Sequence, residues 1–167
     1  MKTLCLMRHG KSSWDDSTLA DRDRPLSRRG ERDVPRIAER IKAHKVRPSL
    51  IAASNAKRTW QTARLVAETI GYPREFMHRE PSLYLADAAT LRAFVAALDD
   101  TLNSVLVCAH NPGVTNFANE LAPRLTGNVP TSGCLIVDSD VRLWSEFSDS
   151  ELTLRTYEFP KNLPDIE

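Results

Sequence analysis

Four short, almost uninterrupted apolar runs constrain this chain more than any other feature: Thr3–Met7, Leu50–Ala53, Ser104–Ala109 and Cys134–Asp138. A strand wetted on one face alternates apolar and polar residues, so a strand without that alternation must be covered on both faces. Each run is too short for a helix and ends abruptly, as where Met7 gives way to Arg8-His9-Gly10. The intervening segments carry helical spacing instead. Ser27 can cap a helix from about Arg28 in which Val34, Ile37, Ala38 and Ile41 share a face, with Pro35 requiring a later start or a bend. Ser54 can cap a second helix carrying Trp60, Ala63, Ala67 and Ile70 on one side and stopping at Gly71. Ala88–Leu98 forms a third, with Leu91, Val95 and Leu98 inward, and His110-Asn111-Pro112-Gly113 opens a fourth that runs to about Leu121. Phe76–His78 reads as a short strand, Lys11–Arg24 as a long loop, and Leu143–Phe147 and Leu152–Phe159 as antiparallel strands. Strands alternating with helices predict an α/β fold, a three-layer α/β/α sandwich whose mostly parallel sheet has an antiparallel margin.

Composition narrows the partners. The 167 residues suit one domain spanning 1–167, and 23 Lys+Arg against 22 Asp+Glu give a net charge of +1. That balance offers no electrostatic reason to bind nucleic acid or an anionic membrane, so an anion site here must be a local cluster. The longest purely apolar run, Val105 to Ala109, is far below the roughly 20 residues of a membrane-spanning helix. Cys5, Cys108 and Cys134 are odd in number, form no CxxC pair, and the first two sit within apolar runs. They read as buried thiols of a reducing compartment, and a cytoplasmic monomer is expected.

The chemistry gathers at strand ends, where open α/β sheets bind ligands. The first run delivers Arg8 and His9, the second leads to Arg58 on the first turn of a helix, and the third delivers His110. Arginine's planar fork matches phosphate oxygens, and a helix start adds N–H groups and a positive dipole end. Two arginines, two histidines and a helix start would form an oxyanion pocket that repels cations. No metal and no cofactor are expected.

Arg8-His9-Gly10 after the first strand, followed by a distant arginine and a late strand-end histidine, resembles the histidine phosphatase superfamily, with its phosphoglycerate mutase-like fold. Lys11-Ser12-Ser13-Trp14, Asp23-Arg24-Pro25-Leu26-Ser27 with Arg29-Gly30, and His110-Asn111-Pro112-Gly113 resemble its SixA branch of phosphohistidine phosphatases. The resemblance covers about Met1 to Leu121, and the chain is short enough to lack a cap domain. It implies that His9 attacks phosphorus to form a phosphohistidine intermediate that water hydrolyses. Arg8 and Arg58 would clamp the phosphoryl oxygens, His110 would donate to them as an imidazolium, and Ser12 would add a hydroxyl contact. A hydrogen bond from the other ring nitrogen of His9 to a backbone carbonyl would fix its tautomer.

The departure from the superfamily pattern concerns the proton donor. Many members carry a general-acid glutamate in the segment matching Leu83-Tyr84-Leu85-Ala86, and here it is missing. An ester oxygen needs a proton on leaving, whereas phosphohistidine can protonate its own ring, which points toward P–N substrates. Asp15, Asp16, Asp21 or Asp23 could still supply a proton, with Asp21 favoured by its place before the Asp-Arg-Pro segment. The implied partner is a phosphohistidine-bearing protein or a small phosphorylated substrate. A small-molecule phosphomonoesterase and a non-catalytic phosphate-sensing module are the competing functions, although a sensor has no need of His9. His44 and His78 carry no assigned role. The arginine-rich run from Asp21 to Asp33 reads as a solvated face rather than a dedicated binding surface, with some of its arginines able to border the pocket and meet an acidic protein partner. Leu135–Asp140 imitates the DxD motif of another phosphatase class but leaves too little chain after it, so a hairpin turn is expected there.

Overall fold

The computed structural model describes residues 1–163. Its sheet contains β1 (Lys2–Arg8), β2 (Leu50–Ala53), β3 (His78–Arg79), β4 (Ser104–Ala109), β5 (Cys134–Ser139) and β6 (Thr153–Glu158), in the spatial order β3-β2-β4-β1-β5-β6. β3, β2, β4 and β1 pair in parallel, while β5 runs antiparallel to β1 and β6 antiparallel to β5. The helices are α1 (Arg28–Ala43), α2 (Lys57–Ile70), α3 (Ala88–Ala96), α4 (Gly113–Leu121) and the single turn α5 (Trp144–Phe147).

Alternation along β1 shows why three layers form. Leu4 and Leu6 sit in an apolar cluster with Leu91, Val95, Phe117 and Trp144, while Cys5 and Met7 face Ile37, Ile41 and Val66. Every residue from Leu4 to Met7 is fully buried, and a buried leucine contributes roughly 1.5–3 kcal/mol by leaving water. Helices α1 and α2 therefore cover one face, and α3, α4 and α5 the other. Strands β1 and β4 are neighbours, yet α1 and α4, the helices that follow them, lie on opposite faces. That divergence opens a crevice at their carboxyl ends, the topological switch point where open α/β sheets place ligands.

Several local expectations are met. The Ser27 hydroxyl accepts from the Gly30 N–H, capping α1, and Gly71 ends α2 with a φ of 81°, in the left-handed region. Helix α1 runs through Pro35 from Arg28, without the later start that proline suggested. Two strand assignments are corrected. Residues 74–76 form a 3₁₀ turn, so β3 begins only at His78. Leu143–Phe147 contains α5 rather than a strand: Trp144 and Phe147, three residues apart, are both buried, and Asp100 Oδ1 accepts from the Trp144 N–H at 2.7 Å. The tight hairpin expected after Asp140 is replaced by this turn of helix. All three cysteines are buried free thiols. Among the described residues, no helix is long and apolar enough to cross a membrane.

Candidate active site

Register sets the site. Arg8 pairs with Ala109 across the parallel β1–β4 ladder, so the next residues, His9 and His110, emerge side by side. Their ring centroids are 5.3 Å apart. Ala109 accepts from the His9 N–H at 3.2 Å and the His9 carbonyl accepts from the Ser132 N–H at 3.0 Å, which fixes the turn. Gly10 follows because α1 packs there: a Cβ at this position would lie 2.7 Å from Val34 Cγ2. Its N–H donates to Thr62 Oγ1 at 3.0 Å, tying the turn to α2.

His9 is buried, and its Nδ1 lies 2.7 Å from the Gly10 carbonyl oxygen. A carbonyl only accepts, so the neutral ring carries its proton on Nδ1 and leaves Nε2 with a free lone pair. Burial first, then the positive charges of Arg58, Arg8 and Arg24, push its pKa down to about 4 against the opposing pull of the Gly10 bond. Desolvation thus outranks repulsion by the arginines. Arg8 donates from Nη1 to the Val129 carbonyl at 2.9 Å, while its buried Nε has no partner among the described residues. Asn111 Nδ2 donates to the same carbonyl at 3.1 Å, and Asn111 Oδ1 accepts from the Thr115 N–H and hydroxyl, which holds the turn after His110.

Arg58, in the first turn of α2, is 4% exposed and is brought to the pair. Its Nη2 lies 3.4 Å from His110 Nδ1 and donates to Asp21 Oδ2 at 3.0 Å, while Nη1 donates to the Asp21 carbonyl at 2.7 Å. Asp21 thus enters the site, but as an acceptor. The Tyr84 hydroxyl donates to its Oδ2 at 2.5 Å and Arg24 Nη1 to its Oδ1 at 3.3 Å. The Tyr84 bond, together with Arg58 and Arg24, holds the Asp21 carboxyl below the ordinary carboxylate range. A carboxylate kept ionised and accepting from Tyr84, Arg58 and Arg24 stands here as an acceptor without a proton of its own to give. Asp16 accepts from the Thr18 N–H at 3.0 Å and is likewise held ionised, chiefly by Thr18.

His110 is 1% exposed. Burial, followed by His9 and Arg58, drives its pKa to about 3, with Asp21 opposing. Without a bound anion it is neutral, and the imidazolium expected beside a phosphoryl group belongs to the bound state. The Ser12 hydroxyl oxygen accepts from Arg24 Nη2, leaving only its own proton to offer a ligand. Ser54, expected as a helix cap, instead lies 2.7 Å from His110 Nε2 while α2 starts after Ala56.

Three contributors were missed. Arg24 is buried and adds a third guanidinium beside Arg58. Tyr84 sets its ring edge-on to His110, with centroids 5.4 Å apart, and carries Arg22 over its face. Ser54 reaches His110 from a strand end. Arg24 stood inside the Asp-Arg-Pro segment, and Tyr84 inside the segment where the acid is missing, which were the available signals. Close approach at Gly113 brings Tyr84 in: a Cβ there would lie 1.9 Å from the Ala86 carbonyl oxygen. His44 and His78 lie elsewhere, paired with Glu158 at 3.2 Å and Glu80 at 2.9 Å. Among the described residues no group of three His, Cys, Asp or Glu side chains could hold a metal ion.

Two histidines within an arginine cluster at the carboxyl ends of this mixed sheet define a phosphatase with the phosphoglycerate mutase-like fold. The family model described as "Histidine phosphatase superfamily (branch 1)" matches residues 4–80, and the chain belongs to that superfamily. An uncharacterized chloroplastic protein of Arabidopsis thaliana is 34% identical over 129 residues, 72% of this chain and 59% of its own length. SixA from Agrobacterium tumefaciens superposes with a TM-score of 0.80 at 25% identity, covering 95% of this chain and 98% of that one. The protein histidine phosphatase SixA complexed with tungstate gives a TM-score of 0.79 at 27% identity, covering 97% and 99%.

Proposed function

We propose that this chain is a metal-independent phosphohistidine phosphatase, a single catalytic domain without a cap that acts as a monomer in the cytoplasm. The observation that carries the reading is the 2.7 Å contact of His9 Nδ1 with the Gly10 carbonyl: it commits Nδ1–H, so Nε2 is left as a free nucleophile on a ring that feels the charges of Arg58, Arg8 and Arg24. Nε2 attacks phosphorus, the P–N bond to the substrate imidazole breaks, and the phosphoryl group passes to His9. Water then attacks the phosphorylated His9 and releases inorganic phosphate. Arg8 and Arg58 stabilise the charge on the phosphoryl oxygens, with the buried Arg8 Nε available as an unpaired donor. Arg24 adds positive charge, and Ser12 has one proton to contribute.

The leaving group decides the substrate class. Asp21 is held ionised, so an alkoxide would find no acid in this carboxylate. A substrate imidazole protonates on its own ring and departs neutral. The structurally similar SixA is complexed with tungstate, an oxyanion. A phosphohistidine-bearing protein is accordingly favoured over a phosphate ester.

The test compares turnover of a phosphohistidine protein and p-nitrophenyl phosphate by wild type and His9→Ala, with and without EDTA. We expect faster turnover of the P–N substrate, a loss on the order of a thousandfold or more in His9→Ala, and no effect of EDTA. Equal or faster ester hydrolysis would make the protein a small-molecule phosphomonoesterase, and inactivation by EDTA would overturn the metal-free mechanism.

A further inference from the structure

His110 meets Arg58 through Nδ1, and the other side of its ring meets a closed set of buried hydroxyls. Ser54 and Thr59 are both fully buried. Ser54 Oγ lies 2.7 Å from His110 Nε2 and 2.5 Å from Thr59 Oγ1, and it accepts from the Ala56 N–H at 3.3 Å. Thr59 Oγ1 in turn donates to the Ala56 carbonyl at 2.9 Å, with the Ser54 carbonyl at 3.2 Å.

The set allows two directions, and the Arg58 contact selects one of them. Thr59 has one hydroxyl proton; with it given to the backbone, where carbonyls only accept, Thr59 Oγ1 accepts from Ser54. The one proton of Ser54 is thereby committed, and its contact with His110 has to be filled by the imidazole N–H. Neutral His110 therefore carries its proton on Nε2 and none on Nδ1. Arg58 selects this direction, because its Nη2 points at Nδ1 from 3.4 Å and a guanidinium can only donate.

We propose that Ser54, backed by Thr59, is a positioning residue that holds the His110 proton on the far side of the ring, so that His110 can donate to a bound phosphoryl oxygen only by gaining a second proton at Nδ1. Engagement of substrate and protonation of His110 become one event. Rotating hydroxyls of the kind found at exposed serines would leave the ring free to choose its tautomer; here burial, the backbone acceptors and Arg58 remove that choice. This rests on the phosphatase reading.

The test is histidine-selective ¹⁵N NMR of the whole chain at pH 7.5, with the His110 signals assigned by their absence from His110→Gln. Wild type alone should show His110 protonated at Nε2 only, and saturating inorganic phosphate should add a proton at Nδ1. In Ser54→Ala the free ring should lose its confinement to the Nε2–H form, and kcat/KM should fall by roughly tenfold or more, as when an orienting partner is removed from a functional histidine. Ser54→Thr, which keeps the hydroxyl, should restore both. Thr59→Val probes the same chain if Ser54→Ala does not fold. A proton on Nδ1 in phosphate-free wild type, or an unchanged tautomer in the variants, overturns the proposal while leaving the nucleophile reading intact. Wild type that binds no phosphate overturns both.

Discussion

Replacing Asp21 with asparagine separates two roles for the carboxylate beside Arg58. Both terminal nitrogens of Arg58 donate to Asp21, one to its carbonyl and one to its side chain, so an arriving phosphoryl group must share this guanidinium with an existing anion. Asp21→Asn keeps the shape and the acceptor oxygen but removes the charge. The Asp21 side chain is 45% exposed, so water's dielectric constant is the appropriate one. A carboxylate and a phosphoryl dianion about 6 Å apart then repel by about 1.4 kcal/mol, roughly tenfold in affinity. Part of that gain is returned, because the Asp21 charge also supports protonation of His110. The net expectation is about three- to tenfold tighter competitive inhibition by inorganic phosphate, with KM falling in parallel, measured as Ki at low salt and again at high salt where the difference shrinks. A hundredfold fall in kcat with an unchanged Ki would refute this reasoning and return Asp21 to the part of proton donor.

Two further predictions concern stability. The His9 pKa sits at about 4 and that of His110 at about 3, both below the ordinary 6.5, so between these values the unfolded chain binds more protons than the folded one. Stability should therefore fall as pH drops below 6.5. His9 alone accounts for about 2.5 kcal/mol between pH 7 and 4.5, and urea denaturation of His9→Gln should show a correspondingly shallower pH dependence. Gly113→Ala would drive a methyl group into the Ala86 carbonyl, so we expect about 1–3 kcal/mol of destabilisation and weaker phosphate binding as the Tyr84 segment moves away. An unchanged melting temperature would show that the α4 start is not held against that segment.

The sheet was legible because strands buried on both faces cannot hide: β1, β2, β4 and β5 all stand out as apolar runs, and two of them place His9 and His110. Their adjacency was a matter of register that no single run contains. Leu143–Phe147 misled because its apolar residues are compatible with either period, and the choice was made by Asp100, far away in sequence, at the Trp144 N–H. The identity of Asp21 as a pocket residue was legible, but its protonation was not, since that depends on Tyr84 and Arg58, 63 and 37 residues away. Ser54 shows the same limit in miniature: a serine before a helix reads as a cap, and only the β2–β4 ladder reveals that a histidine is waiting beside it.

Strand order also has a consequence for biosynthesis. The strand that carries His9 is made early, but its two neighbours, β4 and β5, pair with it from 101 and 133 residues further along, as in Thr3↔Ser104 and Leu4↔Val137. At ribosomal speeds of about 5–20 residues per second, β1 waits on the order of 5–30 s for both edges to be covered. Until then His9 has neither His110 beside it nor the Ser132 N–H to hold its carbonyl, so a stalled or truncated nascent chain carries the proposed nucleophile without the rest of its site.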